Sequence, residues 1–200
     1  MSLSSVHFGA VLLCISTAAG CKKGPMDVND IPDDASTGTL RIDLGGDATA
    51  ASGDEDSIDG GVEEVWIRVD QVEVEHEDEG WIVMSDDRTD VDLMSLRDGE
   101  EKRIATGDVY EGAYAHMRFV ITDAWIVANG EEYDLDIEGS FDRGSGELEL
   151  DVSYFVDADT VTDLWLGWDL DSQLHGSDDN WSLKSDVDVD VDVDVDAAAD

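Results

Sequence analysis

The amino-acid sequence predicts an all-β fold, a two-layer antiparallel β-sandwich of immunoglobulin-like or prealbumin-like form with about nine or ten strands. Three observations predict it. From Thr39 onward apolar and polar residues alternate with a period of two. No stretch of useful length carries a helical period, and Gly, Asp and Asn interrupt the alternation at short intervals, as turns between strands require.

The elements follow in order. Thr39 to Leu44 places Leu40, Ile42 and Leu44 on one face, and the Gly-, Ala- and Asp-rich run from Gly45 to Gly61 reads as a long loop. Glu63 to Glu75 is a strand whose apolar parity changes between Val69 and Val72, which predicts a bulge near Asp70 and Gln71. Glu77 to Gly80 turns it into Trp81 to Met84, and Val91 to Leu96 is a short, ambiguous element. Gly112 to Val127 is the clearest strand, with Ala115, Met117, Phe119 and Ile121 on one side and Tyr114, His116, Arg118 and Val120 on the other. Asn129-Gly130 is a two-residue hairpin signal, returning into Glu132 to Ile137. Glu147 to Tyr154, Thr160 to Leu170 and Asn180 to Leu183 complete the predicted domain, residues 39–185. Residues 186–200 alternate Val and Asp and then end in alanines, which reads as a final strand that frays.

The amino terminus is of another kind. Val6 to Ala19 is free of charge, too short to span a bilayer, and ends in the small residues Ala18-Ala19 before Gly20 and Cys21, the form of a secretory signal over residues 1–20. Cys14 lies within the part that would be removed, so Cys21 is the one cysteine expected in the mature chain, and no disulfide framework is possible. An unpaired cysteine directly after the cleavage site resembles the bacterial lipoprotein signal, in which that residue is acylated. The same residues also fit an ordinary secretory signal with a small-x-small site. Residues 21–38 are polar, hold both prolines and read as a flexible tether, so the expected address is extracytoplasmic, on the cell membrane or the outer membrane through the lipid.

Charge narrows the partners. The chain has 51 acidic residues against 11 Lys plus Arg, a net charge of −40. Phosphate recognition needs a cationic face, so nucleic acid is excluded as an expected partner, and an envelope protein or a glycan is expected instead.

The segments GTLRIDL, VEEVWIRVDQVEVE with GWIVM, VDLMSL, GAYAHMRFVITDAWIVANG and TDLWLGWDLDSQL followed by WSLK resemble the domain of unknown function 4382 family of secreted and lipid-anchored prokaryotic proteins. The resemblance covers roughly Thr37 to Val191. It implies a β-sandwich and an extracytoplasmic address, and it brings no established activity.

Two candidate sites stand out. Asp54, Asp56 and Asp59 before Gly60-Gly61 resemble an oxygen-rich cation loop for Ca2+, although the spacing is not that of an EF-hand. Trp165 and Trp168 are candidates for stacking on a ligand ring; they have opposite parity on one strand, so one of them must leave the core unless the strand bulges. The bland account of both tryptophans is packing. No Gly-x-Ser-x-Gly elbow or His-Glu-x-x-His occurs, and His76, His116 and His175 have no partner at ligand spacing, so the expectation is a binding or structural protein, not an enzyme.

Overall fold

The computed structural model describes residues 24–46, 61–97, 99–138, 141–142, 145–177, 180–185 and 187–194, so Cys21 and the loop bearing Asp54, Asp56 and Asp59 lie outside the described residues. Within them the chain forms β1 (Met26–Asp27), β2 (Thr37–Gly46), β3 (Val62–His76), β4 (Gly80–Ser85), β5 (Thr89–Asp92), β6 (Glu101–Tyr110) and β7 (Gly112–Ala128). It continues through β8 (Glu131–Glu138), β9 (Phe141–Asp142), β10 (Ser145–Val156), β11 (Val161–Trp168), β12 (Leu174–Ser177), β13 (Asn180–Lys184) and β14 (Asp188–Asp194).

Ten strands make a large sheet ordered β1-β4-β3-β7-β8-β13-β12, with β5 also on β3, β10 also on β7, and β9 on β10; four make a small sheet ordered β14-β11-β2-β6. The two pack as a sandwich-like fold, as the alternation predicts. Two details of the expectation are corrected. The sheets are mixed, because β1 with β4, β8 with β13 and β2 with β11 run parallel. The described strands also outnumber the nine or ten expected, because pieces such as β1, β5, β9 and β12 are too short to show a period.

Leu40, Ile42, Leu44, Leu164 and Leu166 from the small sheet meet Val65, Ile67, Val74, Met117, Phe119 and Ile121 from the large one in a single buried core. Each such side chain fully removed from water contributes about 1.5–3 kcal/mol. The tether segment joins this body earlier than its composition suggests: Met26–Asp27 pairs with β4, and Val28 packs against the core. At the other end β14 pairs along β11 from Asp188 to Asp194. Val187 and Val189 are half-buried on the core, whereas Val191 is 37% exposed, so the inward face of the Val-Asp run weakens along its length.

The bulge expected near Asp70 and Gln71 is present, since the register of β3 on β7 shifts between Val69 and Gln71. A second shift, between Glu75 and His76, turns Tyr114 inward, against the outward face that simple alternation gave it. Here the chain passes from the small sheet to the large one, from Tyr110 to Gly112, and the corner is tied by side chains. The Tyr114 hydroxyl donates to the Tyr110 carbonyl at 2.8 Å, and its ring stacks on Tyr154 at 5.1 Å. Burial pushes the Tyr114 phenol well above its ordinary pKa. His76, also buried, accepts from the Asp78 and Glu79 amides at Nδ1 and reaches the Glu111 carbonyl with Nε2 at 3.3 Å. Those acceptor bonds place the ring proton on Nε2.

Candidate functional site

The outer face of the small sheet carries an open depression of about 640 Å3 with Trp165 in its wall. Strand registers assemble it. Trp165 of β11 lies opposite Asp43 of β2 on one side and Asp190 of β14 on the other, and Asp43 lies opposite Arg103 of β6. One step along the strands, Asp163 lies between Arg41 and Asp192; one step the other way, Gly167 lies opposite Gly45. Because residues two apart share a face, all of these side chains point away from the core.

Two glycines shape the floor. A Cβ on Gly45 would lie 2.3 Å from the Trp165 Nε1, and one on Gly167 would lie 2.4 Å from the far edge of the six-membered ring. The indole therefore rests across both strands, one face on backbone and the other toward solvent. Trp168, its companion in sequence, is buried at 3% exposure and donates from Nε1 to the Lys184 carbonyl at 2.9 Å. The two candidate stacking residues are thus divided: Trp165 is on the surface, and Trp168 is a core residue that cannot meet a ligand.

Arg103 grips Asp43 with a two-pronged fork, Nε to Oδ1 at 3.1 Å and the terminal nitrogen to Oδ2 at 2.8 Å. That carboxylate raises the pKa of the Arg103 guanidinium above its ordinary value. Arg103 also lies 3.6 Å from Asp163, and Arg41 lies 3.8 Å from the same residue. The four side chains form a charge-balanced wall beside the indole. Sequence reasoning did not find them, although the outward parity of Arg41 and Asp43 between Leu40, Ile42 and Leu44 is a visible signal. What joins them to Trp165 is the parallel pairing of β2 with β11.

A second charged region covers the outer face of the large sheet. Arg118 pairs with the buried Glu73 and lies 4.3 Å over the Trp81 ring. His116 lies between Glu75 at 2.6 Å and Asp151 at 3.2 Å. The Glu75 hydrogen bond, the largest effect, raises the His116 pKa above its ordinary 6.5; burial opposes it, and the charges of Glu75 and Asp151 add to the rise. A raised value in the folded state means that protonation favours folding. The contribution is complete below pH 6.5 and is lost as pH rises through the folded value. His116→Gln should therefore lower the melting temperature in acid and leave it unchanged in base; an equal loss at both ends would disprove the pairing.

Trp66 and Trp125 stack at 5.7 Å, and Arg68 lies 5.2 Å over Trp125, so those indole faces are engaged within the protein. Among the described residues no group of three or more His, Cys, Asp or Glu is arranged to hold a metal ion. No curated protein and no solved structure matches the chain. The domain of unknown function DUF4382 matches residues 37–185, a span from the start of β2 to the end of β13, and the chain belongs to the DUF4382 family.

Proposed function

We propose that this protein is an exported, lipid-anchored binding module that holds a sugar ring against Trp165, with no catalytic role of its own. The observation that carries the reading is the placement of that indole: flat on two glycines, one face outward, in a depression walled by a fixed Asp43–Arg103 pair. Sugar rings present an apolar C–H face and a rim of hydroxyls. An aromatic plate meets the first, and paired carboxylate and guanidinium groups meet the second. Both oxygens of Asp43 are occupied by one guanidinium, which suits a fixture for orienting hydroxyls more than a group that exchanges protons.

A glycan array, followed by calorimetry on the hits, tests the site. Trp165→Ala should weaken the best ligand by about tenfold or more, while Trp66→Ala on the opposite sheet should leave it unchanged. Equal binding by wild type and Trp165→Ala would reject the site.

The extracytoplasmic address is supported by the charge-free stretch before Cys21. Cys21→Ser should move the protein from the membrane fraction to the soluble fraction of an expressing bacterium. Retention in membranes washed with high salt would reject the anchor.

A further inference from the structure

The charges around Trp165 specify what kind of sugar it would hold, an inference that rests on the sugar-binding reading above. Two arginines and five carboxylates line the depression. Both arginines are committed to Asp43 and Asp163. Asp190, directly beside Trp165, and Asp192, beside Asp163, form no ion pair among the described residues. Asp163 adds no free acceptor, because its Oδ1 is buried and its carboxylate lies 3.6 Å from Arg103 and 3.8 Å from Arg41. The free polar capacity of the site is therefore acceptor capacity, with excess negative charge, beside an aromatic face.

A protonated amine is the complement of such a lining, because an ammonium group has three donors and no acceptor. It also gains from the aromatic quadrupole. We infer that the depression takes a cationic amino sugar, a glucosamine-type ring whose ammonium group meets Asp190 while its C–H face lies on Trp165. A uronic acid or sulfated sugar would bring like charge to unpaired carboxylates and be refused.

Calorimetry of the full chain at about pH 6, where sugar amines are charged, and ~0.15 M salt compares four probes: glucosamine tetramer, its fully N-acetylated counterpart, a galacturonate tetramer, and spermine. The glucosamine tetramer should bind, the N-acetylated one at least about tenfold more weakly, and the galacturonate not at all. Asp190→Asn should weaken the glucosamine tetramer alone, and Trp165→Ala should weaken both glucosamine forms. Trp165→Ala leaves the net charge untouched, so its loss of binding cannot come from general attraction to an acidic surface, and its melting curve reports whether the fold is kept. Equal binding of the N-acetylated tetramer would overturn the cationic class while leaving the sugar platform standing. Binding of no saccharide would overturn the platform itself. Full retention by Trp165→Ala or by Asp190→Asn, or spermine binding as tightly as the tetramer, would reduce the effect to nonspecific charge and overturn the inference.

Discussion

Replacing Arg118 with alanine is expected to lower the unfolding free energy by about 3 kcal/mol, a fall in melting temperature of roughly 6–12 °C for a domain of this size. Glu73 is only 2% exposed and receives hydrogen bonds from Arg118 and, at 3.3 Å, from Gln71. Removing the guanidinium strands a carboxylate away from water with one weak donor, and it also uncovers the Trp81 face. The effect belongs at the lower end of what breaking a buried pair costs, because the Arg118 side chain keeps 19% exposure and water can partly replace it. Arg88→Ala is the comparison: that guanidinium bonds Asp70 at 2.8 Å but is 64% exposed, so its loss should shift the melting temperature far less. Changing Glu73 and Arg118 together to leucine should restore most of the stability, since no charge is then left unpaired. Indistinguishable melting of Arg118→Ala and Arg88→Ala would refute the buried pair.

Gly112→Ala should be similarly costly, for a steric reason. Gly112 has φ +149°, where side chains are disfavoured, and a Cβ there would lie 2.2 Å from the His76 Nε2. The imidazole cannot step aside without giving up its bonds to the Asp78 and Glu79 amides and the Glu111 carbonyl. Backbone strain of about 1–3 kcal/mol adds to the loss of one or more hydrogen bonds of about 1 kcal/mol each. Gly80→Ala also has positive φ, +83°, but nothing lies within 4 Å of its Cβ, so it should cost only about 1 kcal/mol. Combining Gly112→Ala with His76→Ala gives the decisive number. The double variant should lose less than the sum of the single ones, because the second substitution removes what the first strikes. Strict additivity in urea unfolding would mean that the two residues do not touch.

Local signals were legible and long-range ones were not. Asn129-Gly130 has φ +52° and +78° and joins β7 to β8 as the hairpin its composition announces. The parity of Trp165 and Trp168 separates surface from core as alternation requires. β6 escaped notice because Ile104 and Ala105 are adjacent and both buried, which breaks the alternation: the register on β2 jumps between Ile42 and Asp43 so that Ile104 is the added residue. The wall beside Trp165 escaped for another reason. Each of its residues has the ordinary outward parity of a strand, and only pairing between strands remote in sequence turns them into neighbours. Nothing in a one-dimensional pattern records that pairing.

The small sheet has a bearing on when this protein can fold. Its second and third strands, β11 and β2, come from opposite ends of the domain, and β14 follows later still. Closing so long a loop costs entropy before any pairing rewards it, which makes such topologies slow to form. Until residues 161–168 have been synthesised, β2 lacks the strand it pairs with in parallel, and that edge of the small sheet stays open. The core is not complete without Leu164 and Leu166, in the last quarter of the chain, so the small sheet closes when synthesis is nearly done.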